Sequence, residues 1–339
     1  MDMANRKLSL IVCTYRRPAQ VRLLLHAVRD QSRVPEDCLI VDGSPDDETR
    51  SVVAELQNGW VAGDLRYYQV PPEERGLTRQ RNYGIARARG DIVAFLDDDT
   101  IPEGVYFEEI MDCFARHPDA AGVGGYVTNE IPWRKLPGAR RSFSSFRFGD
   151  WERREDYRWR FRRLLGLDSS SPPGWMPPSG HGRPISFLPP DGRDYPVESL
   201  MGCAMAWRRE TLRLHAFSSY FEGYGLYEDL EFCLRASQSG KLYVRTRATL
   251  AHYHAAPGRP SDFRYGEMIV RNGWFVWRRR WPDPPLLSRA CWWATTLLLS
   301  VCRLADIARR DTRGRAQIEA MGRLWGLAKL VCNGHQSST

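Results

Sequence analysis

The chain has 339 residues, 42% of them apolar and 27% charged, with a net charge of +8. That length exceeds a single ordinary core, so one large domain with additions or two fused halves is expected, and the excess of positive charge asks for an anionic partner: nucleic acid, a membrane surface or a phosphorylated substrate. Eight scattered Cys without a CxxC pair argue against a disulfide framework or a zinc site and for a reducing compartment, and no run reaches the ~18 apolar residues of a spanning helix.

Leu8 to Cys13 reads as a first strand rather than a signal-peptide core, and it ends in Thr14, Tyr15 and Arg16. Pro18 opens a helix with Val21, Leu24, Leu25 and Val28 at helical spacing. Cys38 to Val41 is a second strand, stopped by Asp42 and Gly43, and a helix through Val52, Val53 and Leu56 follows. Leu65 to Val70 is a third strand. Leu77 to Ala88 is helical and carries Arg81 and Asn82, with Gly90 as its stop. Ile92 to Leu96 is a continuous apolar run, a strand buried on both faces, and it delivers Asp97, Asp98 and Asp99. Three adjacent carboxylates repel one another, and a hard divalent cation, Mg²⁺ or Mn²⁺, would remove the conflict.

Strand and helix alternate as in parallel βαβ units. In open parallel sheets ligands bind beyond the carboxyl ends of strands. The polar clusters at Thr14 to Arg16, Asp42 and Asp97 to Asp99 are therefore expected on one rim. Glu103 to His117 is a further helix, with Ile110, Met111 and Phe114 facing the core, and Ala121 to Val127 is a Gly-rich strand.

From Asn129 to about Val197 the alternation stops, and a long loop rich in Pro, Trp, Arg and Ser is expected. Its stretch Arg134 to Arg163 interleaves basic and aromatic residues, as a solvated face or as a patch for anionic lipid. Met201 to Trp207 is apolar. Phe221 to Gly225, with Glu222 inside it, is turn-rich and leads into a helix over Tyr227 to Arg235, where Leu230, Cys233 and Leu234 share a face. Lys241 to Arg245 is a short strand, followed by His252, Tyr253 and His254. The remainder is helical. Within it, Pro285 to Arg310 carries a stripe of Leu297, Val301, Leu304 and Ala308 flanked by Arg289, Arg303, Arg309 and Arg310. That helix either packs on the catalytic domain or lies in a membrane interface.

CTYRRP, VDGSPDD, TRQRNYGIARARGDIVAFLDDD, GCAMAWRRE, and GYGLYEDLEFCLR followed by HYH occur in this order over roughly residues 7 to 256. Together they resemble the family 2 glycosyltransferases. The resemblance implies the α/β GT-A nucleotide-diphospho-sugar transferase fold, a mostly parallel central sheet flanked by helices, here with a long insertion and a helical C-terminal region. It implies a donor-binding half at 1–128, the insertion at 129–198, an acceptor and catalytic half at 199–261, and a helical region at 262–339.

The implied reaction is inverting transfer of a sugar from a nucleotide-diphosphate sugar to an acceptor hydroxyl with a divalent metal, Mn²⁺ or Mg²⁺. By the resemblance, Asp97 and Asp99 are the outer carboxylates of the DxD motif. Asp99 is the direct metal ligand, and Asp97 contacts ribose or a metal-bound water. Asp98, the middle position, goes with the nucleotide site but has no role beyond solvation. Asp42 would accept from the base's ring N–H, with Thr14, Tyr15 and Arg16 beside the base and Arg81 and Asn82 completing the donor site. Asp229 is the implied general base, and Glu228 would orient it or touch the acceptor. His252, preferred over His254, is an additional metal ligand. Gly202, Cys203 and Ala204 would lie under the donor sugar and acceptor.

The partners expected are the nucleotide-sugar donor, a glycan or lipid-linked acceptor and an anionic membrane surface approached from the cytoplasmic side, with no nucleic acid. A sugar-phosphate nucleotidyltransferase or a non-catalytic binder stands as the alternative. The first lacks a Gly-rich phosphate loop in CTYRRP, and the second leaves the intact carboxylates without purpose.

Overall fold

The structure is a computed structural model and describes residues 6–60, 63–130, 132–138, 142–221, 223–254, 259–306 and 314–332. Glu222, Ala308, Arg309 and Arg310 lie outside the described residues, as do residues 139–141 of the basic-aromatic stretch. In chain order the elements are β1 (Leu8–Thr14), α1 (Pro18–Arg29), β2 (Asp37–Asp42), α2 (Glu48–Gln57), β3 (Asp64–Gln69), α3 (Leu77–Ile85), β4 (Ile92–Asp97), β5 (Thr100–Pro102), α4 (Tyr106–Arg116) and β6 (Ala120–Val127). Then come β7 (Trp133–Lys135), β8 (Ser145–Phe148), β9 (Trp151–Arg154), α5 (Tyr157–Leu164), β10 (Asp194–Val197), β11 (Ala204–Arg208), α6 (Arg209–Leu214) and α7 (Glu228–Ala236). The last are β12 (Lys241–His252), α8 (Asp262–Arg280), α9 (Leu286–Ala305) and α10 (Arg315–Cys332).

The chain divides into two compact units, one of residues 1–133 with 185–258 and one of residues 134–184 with 259–339. The first is a nine-stranded mixed sheet in the order β10-β12-β6-β11-β4-β1-β2-β3, with β5 paired to β12. β3, β2, β1 and β4 run parallel, as their alternation with helices dictates. β11 enters antiparallel to both β4 and β6. The apolar runs of β1, β2 and β4 are buried, because helices cover both faces of this part of the sheet. Val21, Leu24, Leu25 and Val28 of α1 and Ile110, Met111 and Phe114 of α4 join one core with them. Register then aligns the strand ends: Thr14 pairs with Asp42 and Cys13 with Asp97.

Four expectations are corrected here. α3 stops at Ile85, and Gly90 lies beyond it, its amide donating to Ser9 Oγ at 2.8 Å. α7 buries Phe232, Cys233 and Ala236 rather than a Leu230 face. β12 does not end at Arg245 but runs to His252. Residues 129–197 are not a long loop: β7, β9 and β8 form a small antiparallel sheet, and α5 follows.

The Arg-aromatic composition that reads as surface is core in the second unit. The Arg183 guanidinium is buried over Phe146 and Trp159, at 4.8 and 5.2 Å from the ring centroids, and holds Asp168 at 2.5 Å. Arg162 lies 4.4 Å over Trp159, and burial pushes its guanidinium down to about 10. Trp274, Trp277 and Trp292 pack together where α8 meets α9, with Trp277 Nε1 donating to the Pro178 carbonyl at 2.8 Å. Among the described residues, no helix is long and apolar enough to cross a membrane.

Candidate active site

The rim where β1, β2 and β4 end collects the first carboxylates. β5 pairs antiparallel with β12, setting Thr100 opposite His252, and the Tyr253 amide donates to the Asp99 carbonyl at 3.0 Å. This pairing carries His252 Nε2 to 3.2 Å from Asp99 Oδ1. Ligand atoms of Asp97, Asp99 and His252 all lie within 4.8 Å of one another. Burial lowers the His252 imidazole, but its bond to Asp99 and the charge of Asp97 carry it above its ordinary value. His254 stands beside it, ring centroids 3.9 Å apart, and meets Glu130 Oε1 at 3.1 Å.

Asp98 is not solvated. It is buried, accepts from Thr14 Oγ1 at 2.8 Å and from Arg17 at 2.7 Å, and burial pushes it up to about 6 against the pull of Arg17. It braces the ends of β1 and β4. Arg17 also reaches Asp99 Oδ2 at 3.4 Å.

Asp42 is likewise committed internally. It is 0% exposed; Oδ1 accepts from the Ser44 amide and hydroxyl at 2.7 and 2.5 Å, and Oδ2 accepts from Tyr67 Oη at 2.8 Å. These bonds brace the turn after β2 and fix the direction of the carboxylate. Tyr15 and Arg16 are the exposed members of the neighbouring loop, with Arg16 at φ +55° and its amide held by Ser44 Oγ.

The larger correction concerns α3. Arg81 is 2% exposed and faces neither solvent nor a free rim. Its guanidinium donates to Glu228 Oε1 at 2.5 Å and to the Gly202 carbonyl at 3.0 Å, and sits 3.5 Å from Asp97 Oδ1. The rings of Phe217 and Phe95 flank it at 5.2 and 5.9 Å. Asn82 spends both amide atoms on the Phe217 backbone, 2.9 Å each way, a side-chain copy of a strand pairing. This clamp ties α3 to the segment before α7.

Gly202 is required where it stands. A Cβ there would lie 3.0 Å from Glu228 Oε1 and 3.1 Å from Arg81. Its amide donates to Asp229 Oδ2 at 2.9 Å, while the Leu230 amide donates to Oδ1 at 2.8 Å. Asp229 is thus gripped at the N-terminus of α7, where backbone N–H groups favour an anion. The turn into that helix passes through Tyr227 at φ +71°, a strained value for a non-glycine residue. Cys203 is buried, and burial pushes its thiol well above the usual range. Ala204 is fully buried in β11 opposite Leu96, so the expectation that it faces a sugar fails.

One guanidinium is therefore shared among several acids. Burial and the Asp229 charge push Glu228 up to about 8, with Arg81 opposing, and burial raises Asp97 against the same guanidinium. Among the described residues, Asp97, Asp98, Asp99 and Glu228 meet the cationic side chains of Arg17, Arg81 and His252. Two carboxylates and an imidazole converging in this anionic setting fit a divalent cation, and Asp97, Asp99 and His252 could hold it. Reading the sequence missed Arg17, although it stands in CTYRRP. It also missed Ser44, which stands in VDGSPDD, and Glu130 and Tyr67, which lie in no motif.

Residues 9–172, just under half of the chain, match the family described as Glycosyl transferase family 2. Over 132 residues it is 31% identical to the glucosyl-dolichyl phosphate glucuronosyltransferase of Haloferax volcanii, covering 38% of this chain and 41% of that one. Over 93 residues it is 30% identical to the GalNAc(5)-diNAcBac-PP-undecaprenol beta-1,3-glucosyltransferase of Campylobacter jejuni, covering 27% and 29%. The chain thus spans less than half the length of either relative. Among solved structures it resembles the mannosyltransferase PcManGT of Pyrobaculum calidifontis in complex with GDP-Man and Mn²⁺, at TM-score 0.55 and 15% identity, covering 99% of this chain and 90% of that one. That likeness speaks to the fold, which is GT-A.

Proposed function

We propose that the protein is an inverting, metal-dependent glycosyltransferase that moves a sugar from a nucleotide-diphosphate sugar to an acceptor hydroxyl, in cell-surface polysaccharide or glycolipid synthesis. The observation that carries this reading is the joining of two carboxylate sets through Arg81: Asp97 at the end of β4, and Glu228 beside Asp229 at the start of α7. Donor and acceptor chemistry then share one site.

Asp99, Asp97 and His252 hold Mn²⁺ or Mg²⁺, with His254 beside them. When bound, the ion supplies Lewis-acid stabilisation of the diphosphate leaving group. Asp229 takes the proton of the acceptor hydroxyl as it attacks. Gly202 and Leu230 N–H groups fix the direction of its lone pairs. A carboxylate suffices as the base because the hydroxyl becomes acidic only in the transition state. Glu228 and Arg81 position Asp229 from behind, and Tyr15 and Arg16 offer the exposed side chains nearest the base.

The acceptor is a lipid-linked glycan, a reading supported by the polyprenyl carriers in the names of the two relatives. The protein then works at an anionic membrane surface from the cytoplasmic side.

The test is nucleoside-diphosphate release from a panel of nucleotide-sugars, with Mn²⁺ binding followed by calorimetry. Asp99→Asn should lose Mn²⁺ binding and at least about 100-fold in turnover. Asp229→Asn should keep Mn²⁺ and donor binding and lose about 10²–10⁴-fold in kcat. Unchanged Mn²⁺ affinity in Asp99→Asn, or full turnover in Asp229→Asn, overturns the assignment.

A further inference from the structure

On α9 and α10 the outward faces carry large apolar side chains, while the inward faces set buried polar groups beside Trp292, Cys302 and Leu327. On α9, Thr295, Thr296 and Ser300 are buried, Ser300 at 0% exposure, while Leu297, Val301 and Leu304 face outward, Val301 at 51%. Thr296 and Ser300 hydroxyls are satisfied by donating back to the Trp292 and Thr296 carbonyls at 2.8 Å each. On α10, Glu319 is buried beneath Arg303 and Arg323, while Ile318, Met321 and Trp325 face outward, Trp325 at 50%. A helix on a water-soluble surface is expected to show the opposite arrangement.

The close crossing of α8 and α10 is built on glycine. A Cβ on Gly322 would lie 1.9 Å from the Phe263 carbonyl oxygen, and one on Gly266 would lie 2.0 Å from that of Glu319. At this crossing backbone meets backbone, the apolar interior is the small cluster of Val270, Trp277, Trp292 and Leu327, and further large apolar side chains of α9 and α10 point away. Outward stripes at Leu297, Val301 and Leu304 and at Ile318, Met321 and Trp325 are each continuous at helical spacing.

Charge selects the occupant. Residues 134–184 and 259–339 carry 26 Lys and Arg against 11 Asp and Glu, a net +15, whereas the rest of the chain carries 23 against 30, a net −7. The whole positive excess of the protein belongs to the unit with the outward apolar faces. Arg289 is exposed at the N-terminal end of α9, and Trp325 brings an interfacial aromatic. Neither helix can span a bilayer. A partner that accepts Leu, Val, Met and Trp side chains and repays a strong positive charge is the interface of an anionic lipid bilayer.

We propose that the outward faces of α9 and α10 are a monotopic docking surface for an anionic membrane, with Leu297, Val301, Met321 and Trp325 entering the headgroup–acyl boundary. This gives residues to the membrane-surface part of the function proposed above and rests on that part alone, not on the transfer chemistry.

The test is co-sedimentation of the full chain with vesicles of phosphatidylcholine alone or mixed equally with phosphatidylglycerol, without substrate. Binding to the anionic vesicles only is expected. The triple variant Val301→Gln, Met321→Gln, Trp325→Gln should lower the bound fraction at least about tenfold. All three positions are exposed, and circular dichroism and thermal melting check that the variant folds. The conservative variant Val301→Leu, with Met321 and Trp325 native, should bind the anionic vesicles as wild type does. Equal binding by wild type and triple variant overturns the proposal. So does a wild-type dimer by light scattering that becomes monomeric in the triple variant and never binds vesicles, since the faces would then join two copies. Donor turnover measured without vesicles should be the same in both proteins. A wild type that binds anionic vesicles yet turns over no donor sinks the transfer reading and leaves this one standing.

Discussion

At the scale of a residue, Arg81 decides most. A buried guanidinium is costly to bury and costlier to strand its partners. Removing it leaves Glu228, beside Asp97 and Asp229, buried with no compensating cation. Arg81→Met should therefore destabilise the protein by about 3–5 kcal/mol, measured by urea unfolding. Arg81→Lys should recover part of that, since it keeps the charge but cannot reach Glu228, Asp97 and the Gly202 carbonyl from one planar fork. If both variants unfold like wild type, the guanidinium does not hold the site together. The sequence names Arg81 as a functional residue but misdirects it, because a motif marks a position and not the direction of a long side chain. Asn82 and Asp42 make the same point: each is polar at a strategic place, and the bonds each makes inward to backbone or neighbouring hydroxyls are not written in the motif. Asp98 was legible only as a charge. Its partner Arg17 follows Arg16 immediately, and nothing in the pattern says which of the two Arg residues folds back.

At the scale of elements, periodicity was a good guide wherever one face is apolar. α1, α4 and strands β1, β2 and β4 stand where their apolar spacing puts them. It failed for β12, where charges interrupt the run. Arg245 is buried against Glu109 at 2.6 Å, and Arg247 meets the other oxygen of the same carboxylate at 2.8 Å. A paired Arg inside a strand is invisible to a hydrophobic count. It failed again in the second unit, where guanidinium–aromatic stacking replaces aliphatic packing. The α8–α10 crossing supplies a test at this scale. Gly322→Ala places a methyl group against backbone that cannot move aside as a side chain would, and should cost about 1–3 kcal/mol. A thermal melt of the variant reads this directly. An unchanged melting temperature would mean that the crossing is looser than drawn.

At the scale of the molecule, the net charge of +8 conceals an acidic unit joined to a strongly basic one. The positive excess was legible in the sequence, but not that one unit carries all of it. The acidic unit also carries a pH signature. Asp98 at about 6 and Glu228 at about 8 stand above their usual values of 3.8 and 4.5. From about pH 4 to 8 the folded chain keeps protons that the unfolded chain gives up, so their contribution to stability falls as pH rises through that window. Without added metal, urea unfolding should show greater stability at pH 5.5 than at 7.5, with a smaller difference in Glu228→Gln. An opposite slope contributed by Glu228 would overturn the sign. A last consequence comes from β5 pairing with β12. Asp99 is reached early in synthesis, while His252 lies on the final strand of the sheet. The proposed metal grip must therefore close late, after a contact of very long sequence separation has formed. A chain that has folded only its first strands holds Asp99 without His252, so on the proposed reading its metal site lacks one ligand until the last strand is laid down.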